Sequence, residues 1–227
     1  LIVGGGAAGL SAGARLARHG RVVVLEAEEA LGFHASGRSA TFSHFGIGNR
    51  IVRALTACSR DFFLEGEGAP CRRSPALFVA TEEMLPALDA LGRDMAEFTD
   101  GLSATSATDM RRLFPPLRTG GNAIVAGLHD PDGLRLDSDA MLQAFARTIR
   151  KLGGEVLTGR RDEAIEPSWS VRSGGERWTA PILVNAAGAW ADTVAGLAGV
   201  RPLGLRPLRR TIVVVGPPPG GGGGGWA

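Results

Sequence analysis

Three glycines and one acidic residue near the start of the chain have the spacing of a dinucleotide-binding turn. Residues 1–9, LIVGGGAAG, form a short apolar strand that runs into a G-x-G-x-x-G pattern made by Gly4, Gly6 and Gly9, and Glu26 closes the next apolar strand. A strand–turn–helix–strand unit of this kind holds the diphosphate and ribose of a dinucleotide. The pattern therefore predicts redox chemistry.

Each of these residues has a physical task in such a site. Gly4 lets the chain turn sharply out of the strand, Gly6 leaves room for the diphosphate, and Gly9 lets the following helix lie close to the sheet. Backbone N–H groups at the helix start then face the phosphates. The carboxylate of Glu26 would accept hydrogen bonds from ribose hydroxyls and repel a 2′-phosphate, which argues against NADP.

A structural turn is the alternative explanation, because a chain with 34 glycines in 227 residues can produce this spacing by chance. The context favours the nucleotide, since a strand precedes the pattern, a helix follows it, and the acid ends the second strand.

The composition is that of a globular protein without marked charge. The net charge is +2, and the arginines are scattered along the chain, so we expect no nucleic-acid partner. We expect neither a transmembrane segment nor a metal site. Two cysteines suggest a reducing compartment and a cytoplasmic location, with peripheral membrane association left open. Cys58 shares a helical stripe with Ile51, Leu55 and Phe62, which predicts a place in the core.

The pattern along the chain indicates an α/β fold with a Rossmann-like domain. We expect that domain to comprise residues 1–74 and 134–200, and an incomplete, inserted α+β domain with a mixed sheet to comprise residues 75–133 and 201–215. The Pro/Gly-rich tail, residues 216–227, is predicted to be disordered. Strands are predicted at 76–80, 155–158, 182–185 and 211–215, and helices at 51–64 and 138–152.

Three segments, taken in order, resemble a known family. They are the opening glycine-rich unit with Glu26, residues 32–40 (GFHASGRSA) and residues 184–192 (VNAAGAWAD). Together they resemble the D-amino-acid oxidase superfamily of FAD-dependent oxidoreductases. Within it, the chain is most similar to members of the D-amino-acid dehydrogenase, glycine oxidase and sarcosine or dimethylglycine dehydrogenase type.

The resemblance implies FAD as the cofactor and a small-molecule amine or amino acid as the substrate. The carbon–nitrogen bond would be oxidised by hydride transfer to the flavin, and electrons would pass to dioxygen or a carrier. The residues that match the family's motifs would then bind the cofactor. They are Gly4, Gly6 and Gly9 at the diphosphate, Glu26 at the ribose, Gly37, Arg38 and Ser39 at the diphosphate and flavin side, and Ala187 and Gly188 packed on the cofactor.

The resemblance also singles out His34. Dimethylglycine dehydrogenase-like members attach FAD covalently to a histidine in a segment similar to His34-Ala35-Ser36-Gly37, whereas many relatives with this segment bind FAD noncovalently. Both modes stay open, and His34 is expected near the flavin.

Two departures from the family stand out. Arg161-Asp162-Glu163 occupies the place where relatives have a branched apolar residue whose backbone meets the adenine. The segments that supply the arginine for the substrate carboxylate and a final wall over the flavin have no counterpart. Catalytic residues therefore stay unknown, and we expect a C-terminally truncated fragment with weak FAD affinity and little turnover.

Two further functions stay open. A nicotinamide-dependent dehydrogenase would share the opening fold, although the chain contains no tyrosine and hence no Tyr-x-x-x-Lys motif. A non-catalytic module that binds a dinucleotide or a partner protein is the other alternative.

Overall fold

The computed structural model describes residues 1–65, 71–209, 211 and 213. They divide into two compact units, the first formed by Leu1–Ala40 and Ser138–Val213, and the second containing Thr41–Asp137.

The described elements are short strands and helices of 7 to 16 residues. The helices are α1 (Ala7–Leu16), α2 (Arg50–Glu65), α3 (Leu85–Ala96), α4 (Ala107–Leu113), α5 (Ser138–Lys151) and α6 (Ala191–Leu197). The strands are β1 (Ile2–Val3), β2 (Val23–Leu25), β3 (Phe42–Ser43), β4 (Cys71–Arg73), β5 (Ala76–Ala80), β6 (Ser103–Thr105), β7 (Ala126–Asp130), β8 (Leu134–Leu136), β9 (Glu155–Leu157), β10 (Ala164–Glu166), β11 (Ser170–Ser173), β12 (Glu176–Thr179) and β13 (Val184–Asn185).

A four-stranded parallel sheet in the order β13-β1-β2-β9 forms the centre of the first unit. Ile2 pairs with Val184 on one side and with Val24 on the other. Helices α1 and α5 cover one face, where Leu10 and Ile149 are fully buried beside Ile2 and Val24. The apolar periodicity of both helices thus accounts for this half of the core.

The opposite face of the sheet is covered as well. Val3 and Leu25 pack there against Val171 of β11 and Val194 of α6. Strand β11 is the middle strand of an antiparallel sheet in the order β10-β11-β12. Coverage on both faces explains why β1 and β2 are continuous apolar runs rather than alternating ones.

The second unit contains two antiparallel sheets, in the orders β5-β7-β6 and β3-β8-β4. Helix α3 packs on β5 and β7. The most deeply buried apolar residues of the second unit include Met95 of α3, Met110 of α4, Ala80 of β5 and Leu134 of β8.

The α/β class predicted from the sequence is confirmed by the parallel sheet and the helices that cover it. The compact units divide the chain differently from the predicted domains. Residues 41–74 fall in the second unit because β3 and β4 pair with β8. Residues 201–213 fall in the first, where Asp192 accepts hydrogen bonds from the backbone of Leu203, Gly204 and Leu205.

The two units are defined by packing within the chain. The predicted domains are defined by contacts with the cofactor and the substrate, so the assignment of residues to an FAD-binding and a substrate domain stays a prediction. The predicted strand at 211–215 and the tail at 216–227 lie outside the described residues, apart from residues 211 and 213.

The predicted core position of Cys58 is wrong, because its side chain is exposed. Ile51 and Leu55 of the same helical stripe are 70% and 62% exposed. Helical periodicity identifies a face that could be buried, but it does not supply the element that would cover it.

Candidate functional site

A cavity of about 460 Å³ opens in the first unit at the carboxyl ends of β1, β2, β9 and β13. Ligands of open parallel sheets bind in this position, and the volume is in the usual range for a small-molecule site. The residues that line it come from five stretches of the chain. They are Val3–Ala8, Leu25–Glu28, Gly32–Ser36, Arg161–Asp162 and Ala186–Leu197, not every residue in each range being part of the lining.

The glycine-rich turn forms the floor of the cavity, and it has no space for side chains. Gly4 has a φ of +111°, and a Cβ there would lie 2.3 Å from the carbonyl oxygen of Ala186. A Cβ at Gly9 would lie 1.9 Å from the carbonyl oxygen of Gly4. Glycine is therefore required at Gly4 for the turn and at Gly9 for the close approach of α1.

Glu26 lies at the end of β2 and is buried. Its Oε2 accepts a hydrogen bond from the backbone N–H of Gly5 at 2.6 Å, and its Oε1 accepts one from the N–H of Glu28 at 2.9 Å. These two bonds orient the carboxylate and compensate its burial. Each oxygen retains the capacity to accept a further bond from a ligand.

The segment from Gly32 to Ser39 folds over the N-terminus of α1. The hydroxyl of Ser36 accepts a hydrogen bond from the backbone N–H of Ala7 at 3.0 Å, and the N–H of Gly37 donates to the carbonyl of Gly32 at 2.7 Å. The guanidinium of Arg38 lies 4.7 Å from the ring centre of Phe33. The segment thus brings a hydroxyl and an aromatic ring to the start of the helix.

His34 joins two sides of the cavity. Its Nε2 lies 3.1 Å from Oε1 of Glu28, and its ring centre lies 4.5 Å from that of Trp190. Arg161 also reaches Oε1 of Glu28, at 3.1 Å. The hydrogen bond with His34, followed by the charge of Arg161, holds the pKa of Glu28 below its ordinary value, so this carboxylate is charged at neutral pH.

The loop after β13 supplies the third side, and it is made of small residues. The N–H of Ala186 donates to the carbonyl of Val3 at 2.8 Å, and the side-chain amide of Asn185 donates to the carbonyl of Ala191 at 2.7 Å. Gly188 has a φ of +56°. Small side chains from Ala186 to Ala189 leave the backbone open to close approach by a flat ligand.

Six of the ten predicted cofactor residues line this one cavity. They are Gly4, Gly6, Glu26, His34, Ala187 and Gly188. Gly9 lies behind the turn and acts through packing. Gly37, Arg38 and Ser39 belong to the segment over α1 but do not line the cavity, so their contacts with the cofactor stay a prediction.

Several lining residues were not predicted as ligand contacts. Ser36 and Phe33 lie within the quoted segment of residues 32–40, and Ser36 could have been found because it is a small polar residue beside His34 and Gly37. Trp190 lies within the quoted segment of residues 184–192, and Asp162 lies in the stretch 161–163 that departs from the family. The pairing of distant strands brings both to the cavity.

No group of three or more His, Cys, Asp or Glu side chains suited to hold a metal ion occurs within residues 1–65 and 71–209. Over the described part of the chain, no helix has the length and apolar character to cross a membrane.

Solved structures similar to this chain include three enzymes named as oxidases. L-α-glycerophosphate oxidase from Mycoplasma pneumoniae matches with 21% identity and a TM-score of 0.76, covering 87% of this chain and 56% of that one. Glycine oxidase from Geobacillus kaustophilus matches with 20% identity and a TM-score of 0.76, covering 87% and 57%. Iminodiacetate oxidase from Chelativorans sp. BNC1 matches with 22% identity and a TM-score of 0.68, covering 88% and 58%.

At these identities the likeness is one of fold, and the chain spans between 56% and 58% of the length of these three structures. A family model described as FAD dependent oxidoreductase (DAO) matches residues 1–225. This match covers nearly the whole chain and agrees with the open, glycine-lined cavity at the strand ends. The chain therefore belongs to the FAD dependent oxidoreductase family, and the cofactor of this family is FAD.

Proposed function

We propose that this chain holds FAD in the cavity of its first unit and forms the FAD-binding part of an amine oxidoreductase. The substrate is an amino acid or a secondary or tertiary amine, oxidised at its carbon–nitrogen bond. The observation that carries the proposal is the cavity itself. A turn without side chains, at Gly4 and Gly6, opens into it, and the oriented carboxylate of Glu26 lies at the adjacent strand end.

The residues of the cavity fit an adenosine diphosphate group. The start of α1 and the hydroxyl of Ser36 bind the diphosphate, with a favourable helix dipole. The N–H of Ala7 already donates to Ser36 and that of Gly5 to Glu26, so the donors are the other N–H groups of the turn and the O–H of Ser36. Glu26 accepts hydrogen bonds from the ribose hydroxyls, as an acid at the end of the second strand does in dinucleotide sites. The small residues Ala187 and Gly188 pack on the cofactor.

Bound FAD would supply the hydride acceptor for the α-carbon of the substrate. A primary or secondary amine would also lose a proton from nitrogen and give an imine, whereas a tertiary amine would give an iminium ion, and water would hydrolyse either product. Dioxygen or a carrier takes up the electrons. The part played by this chain is to orient the cofactor and to exclude water around it.

The amine substrate is supported by the names of the relatives. Besides glycine oxidase and iminodiacetate oxidase, the similar structures include an L-proline dehydrogenase and L-amino acid deaminases. The glycerophosphate oxidase shows that the same fold also occurs in an enzyme named for a substrate without an amine.

The length of the relatives bears on turnover. Since the chain spans little more than half of these structures, we propose that the groups that bind the substrate lie largely in the part it does not span. The 227 residues then bind FAD weakly and turn over slowly by themselves.

Cofactor binding is tested by titrating the purified chain with FAD, FMN and NAD⁺ while following flavin fluorescence or heat. FAD is expected to bind more tightly than FMN, which lacks the adenosine. Preference for NAD⁺ would favour the nicotinamide-dependent alternative.

The reaction is tested by adding substrates to the FAD-loaded chain without oxygen and following the loss of flavin absorbance. Glycine, sarcosine, proline or iminodiacetate should reduce the flavin, and glycerol 3-phosphate should not. Reduction by glycerol 3-phosphate alone would contradict the amine proposal. Because the chain alone is expected to turn over slowly, each compound is added in large excess and the absorbance is followed for hours. FAD binding without any reduction under these conditions would favour a non-catalytic module.

A further inference from the structure

An acidic side chain lies in the cavity at the place where the family resemblance implies an apolar residue. Asp162 follows β9, is half-buried and lines the cavity. Two backbone hydrogen bonds hold this stretch against the end of β2: the N–H of Gly159 donates to the carbonyl of Glu28 at 2.8 Å, and the N–H of Arg160 donates to the carbonyl of Glu26 at 2.7 Å. Asp162 is therefore fixed on the side of the cavity that carries Glu26.

The fold makes little use of this carboxyl group. Within the described residues, its hydrogen-bonding partner is its own backbone N–H, while the neighbouring Arg161 is engaged by Glu28 at 3.1 Å. Burial raises the pKa of Asp162, and its own N–H and the charge of Arg161 offset only part of that effect. A partly buried carboxyl that costs stability and faces a cavity is a candidate for ligand recognition.

The position of Asp162 in the cavity indicates which part of a bound dinucleotide its side chain would contact. With the diphosphate at the start of α1 and the ribose at Glu26, the base lies beyond the ribose, farther from the glycine-rich turn. Adenine carries an exocyclic amino group, which is a hydrogen-bond donor, and a carboxylate is an acceptor.

We propose that the side chain of Asp162 selects adenine by accepting a hydrogen bond from the exocyclic amino group of the base. This rests on the proposed function, because it presumes that the cavity holds an adenine dinucleotide. A base with a carbonyl oxygen in place of the amino group, such as hypoxanthine, presents an acceptor to the carboxylate. The two acceptors repel each other. The N1–H of hypoxanthine is a donor, but it lies one ring position away from the group that the carboxylate would meet.

The test compares ADP with inosine diphosphate, IDP, which differs at this group of the base. Calorimetric titration of the wild-type chain should give an affinity for ADP about tenfold or more above that for IDP, the size expected for a hydrogen bond to a charged group. The ratio of the two affinities is independent of the fraction of folded protein, since both ligands report on the same sample.

Two substitutions separate recognition from packing. Asp162→Asn should bind IDP about tenfold more tightly than the wild type, because an amide can turn either its oxygen or its NH₂ group towards the base. It should bind ADP a few-fold more weakly, because a neutral acceptor replaces a charged one. Asp162→Ala should bind ADP more weakly and bring the ratio close to one. Asp139→Asn, an exposed aspartate of the same unit outside the cavity, is the matched control and should keep the wild-type ratio.

Equal affinity for ADP and IDP in the wild type, or an unchanged ratio in both Asp162 variants, would overturn the role of Asp162 while the dinucleotide site stands. Absence of binding for ADP, IDP and FAD alike would overturn both the site and the role of Asp162.

Discussion

At the scale of single residues, the central feature of the cavity is that the carboxylate of Glu26 is preorganised. Its carboxylate is buried, and two backbone N–H groups orient it before any ligand arrives. A group held in this way loses little freedom on binding, which favours affinity. Most of the proposed interaction between Glu26 and the ribose should therefore appear as binding free energy.

Replacing Glu26 by glutamine tests this role. In Glu26→Gln, one of the two backbone N–H groups faces an NH₂ group, and the charge is lost, so FAD affinity should fall by roughly tenfold or more. Fluorescence titration measures the change. Glu29→Gln removes the same charge three residues later, at an exposed position outside the cavity, and should bind FAD as the wild type does. An unchanged affinity in Glu26→Gln would remove Glu26 from the site.

The side chain of His34 bears on how the flavin is held. Because its Nε2 lies within hydrogen-bonding distance of Glu28 and its ring rests against Trp190, we expect noncovalent binding. After denaturation in acid, all the flavin of the FAD-loaded chain should appear in the supernatant. Flavin that stays with the precipitated wild-type protein, but not with His34→Ala, would establish covalent attachment instead.

At the scale of elements, the position of α1 depends on how closely it approaches the turn before it. The helix packs with α5 on one face of the parallel sheet, and the backbones of Gly9 and Gly4 are in contact. The same close approach brings the helix N-terminus to the cavity. Helix packing and ligand site thus depend on one backbone contact.

Gly9→Ala tests this contact. The added Cβ would lie 1.9 Å from the carbonyl oxygen of Gly4, so the helix must shift, and we expect a loss of about 1–3 kcal/mol or more in the free energy of unfolding together with weaker FAD binding. Urea denaturation measures the first effect. Gly20→Ala is the control, because nothing lies within 4 Å of its added Cβ. Equal stability of the two variants would contradict the tight packing.

At the scale of the whole molecule, the described chain leaves apolar side chains uncovered in both units. In the first unit, Leu203 and Leu208 are 85% and 83% exposed. In the second unit, Ile51 and Leu55 on α2 are 70% and 62% exposed. Electrostatics also acts at this scale, because ionised groups with altered pKa values make stability depend on pH.

Two aspartates of the first unit should change stability in opposite directions. Backbone N–H groups, that of Leu203 first, lower the pKa of Asp192, so its charge contributes stability above the ordinary value of about 3.9, and this contribution is lost as pH falls through the lowered pKa. Burial raises the pKa of Asp162, so its charge costs stability as pH rises from that ordinary value through the raised pKa.

At pH 7, Asp192→Asn should therefore be less stable than the wild type, and Asp162→Asn should be more stable. Both differences should shrink well below the ordinary value of about 3.9, where the wild-type carboxyls are protonated too. Urea denaturation as a function of pH measures this, with Glu29→Gln, which removes an exposed carboxylate of the same unit outside the helices, as the control. Changes of the same sign in the two variants would contradict the assigned causes.

The amino-acid sequence alone was sufficient to predict the α/β class, the family and the cofactor FAD. The class and a dinucleotide site follow from local features: apolar runs, a glycine-rich turn and an acid at a strand end, each of which acts over a few neighbouring residues. These features identified Gly4, Gly6 and Glu26, whereas the family, FAD and His34 came from the resemblance of three segments to known proteins. All four residues line one cavity. The core position predicted for Cys58 was wrong, because helical periodicity shows which face of a helix is apolar but not whether another element covers that face.

Only the tertiary structure decided which distant segments meet. Strand β13 pairs with β1 across more than 180 positions of sequence, as Ile2 with Val184, and this pairing brings Trp190 to His34. The pairing of β2 with β9 likewise brings Asp162 to the side of Glu26. No local pattern encodes these contacts, because they depend on which strands are neighbours in the folded sheet.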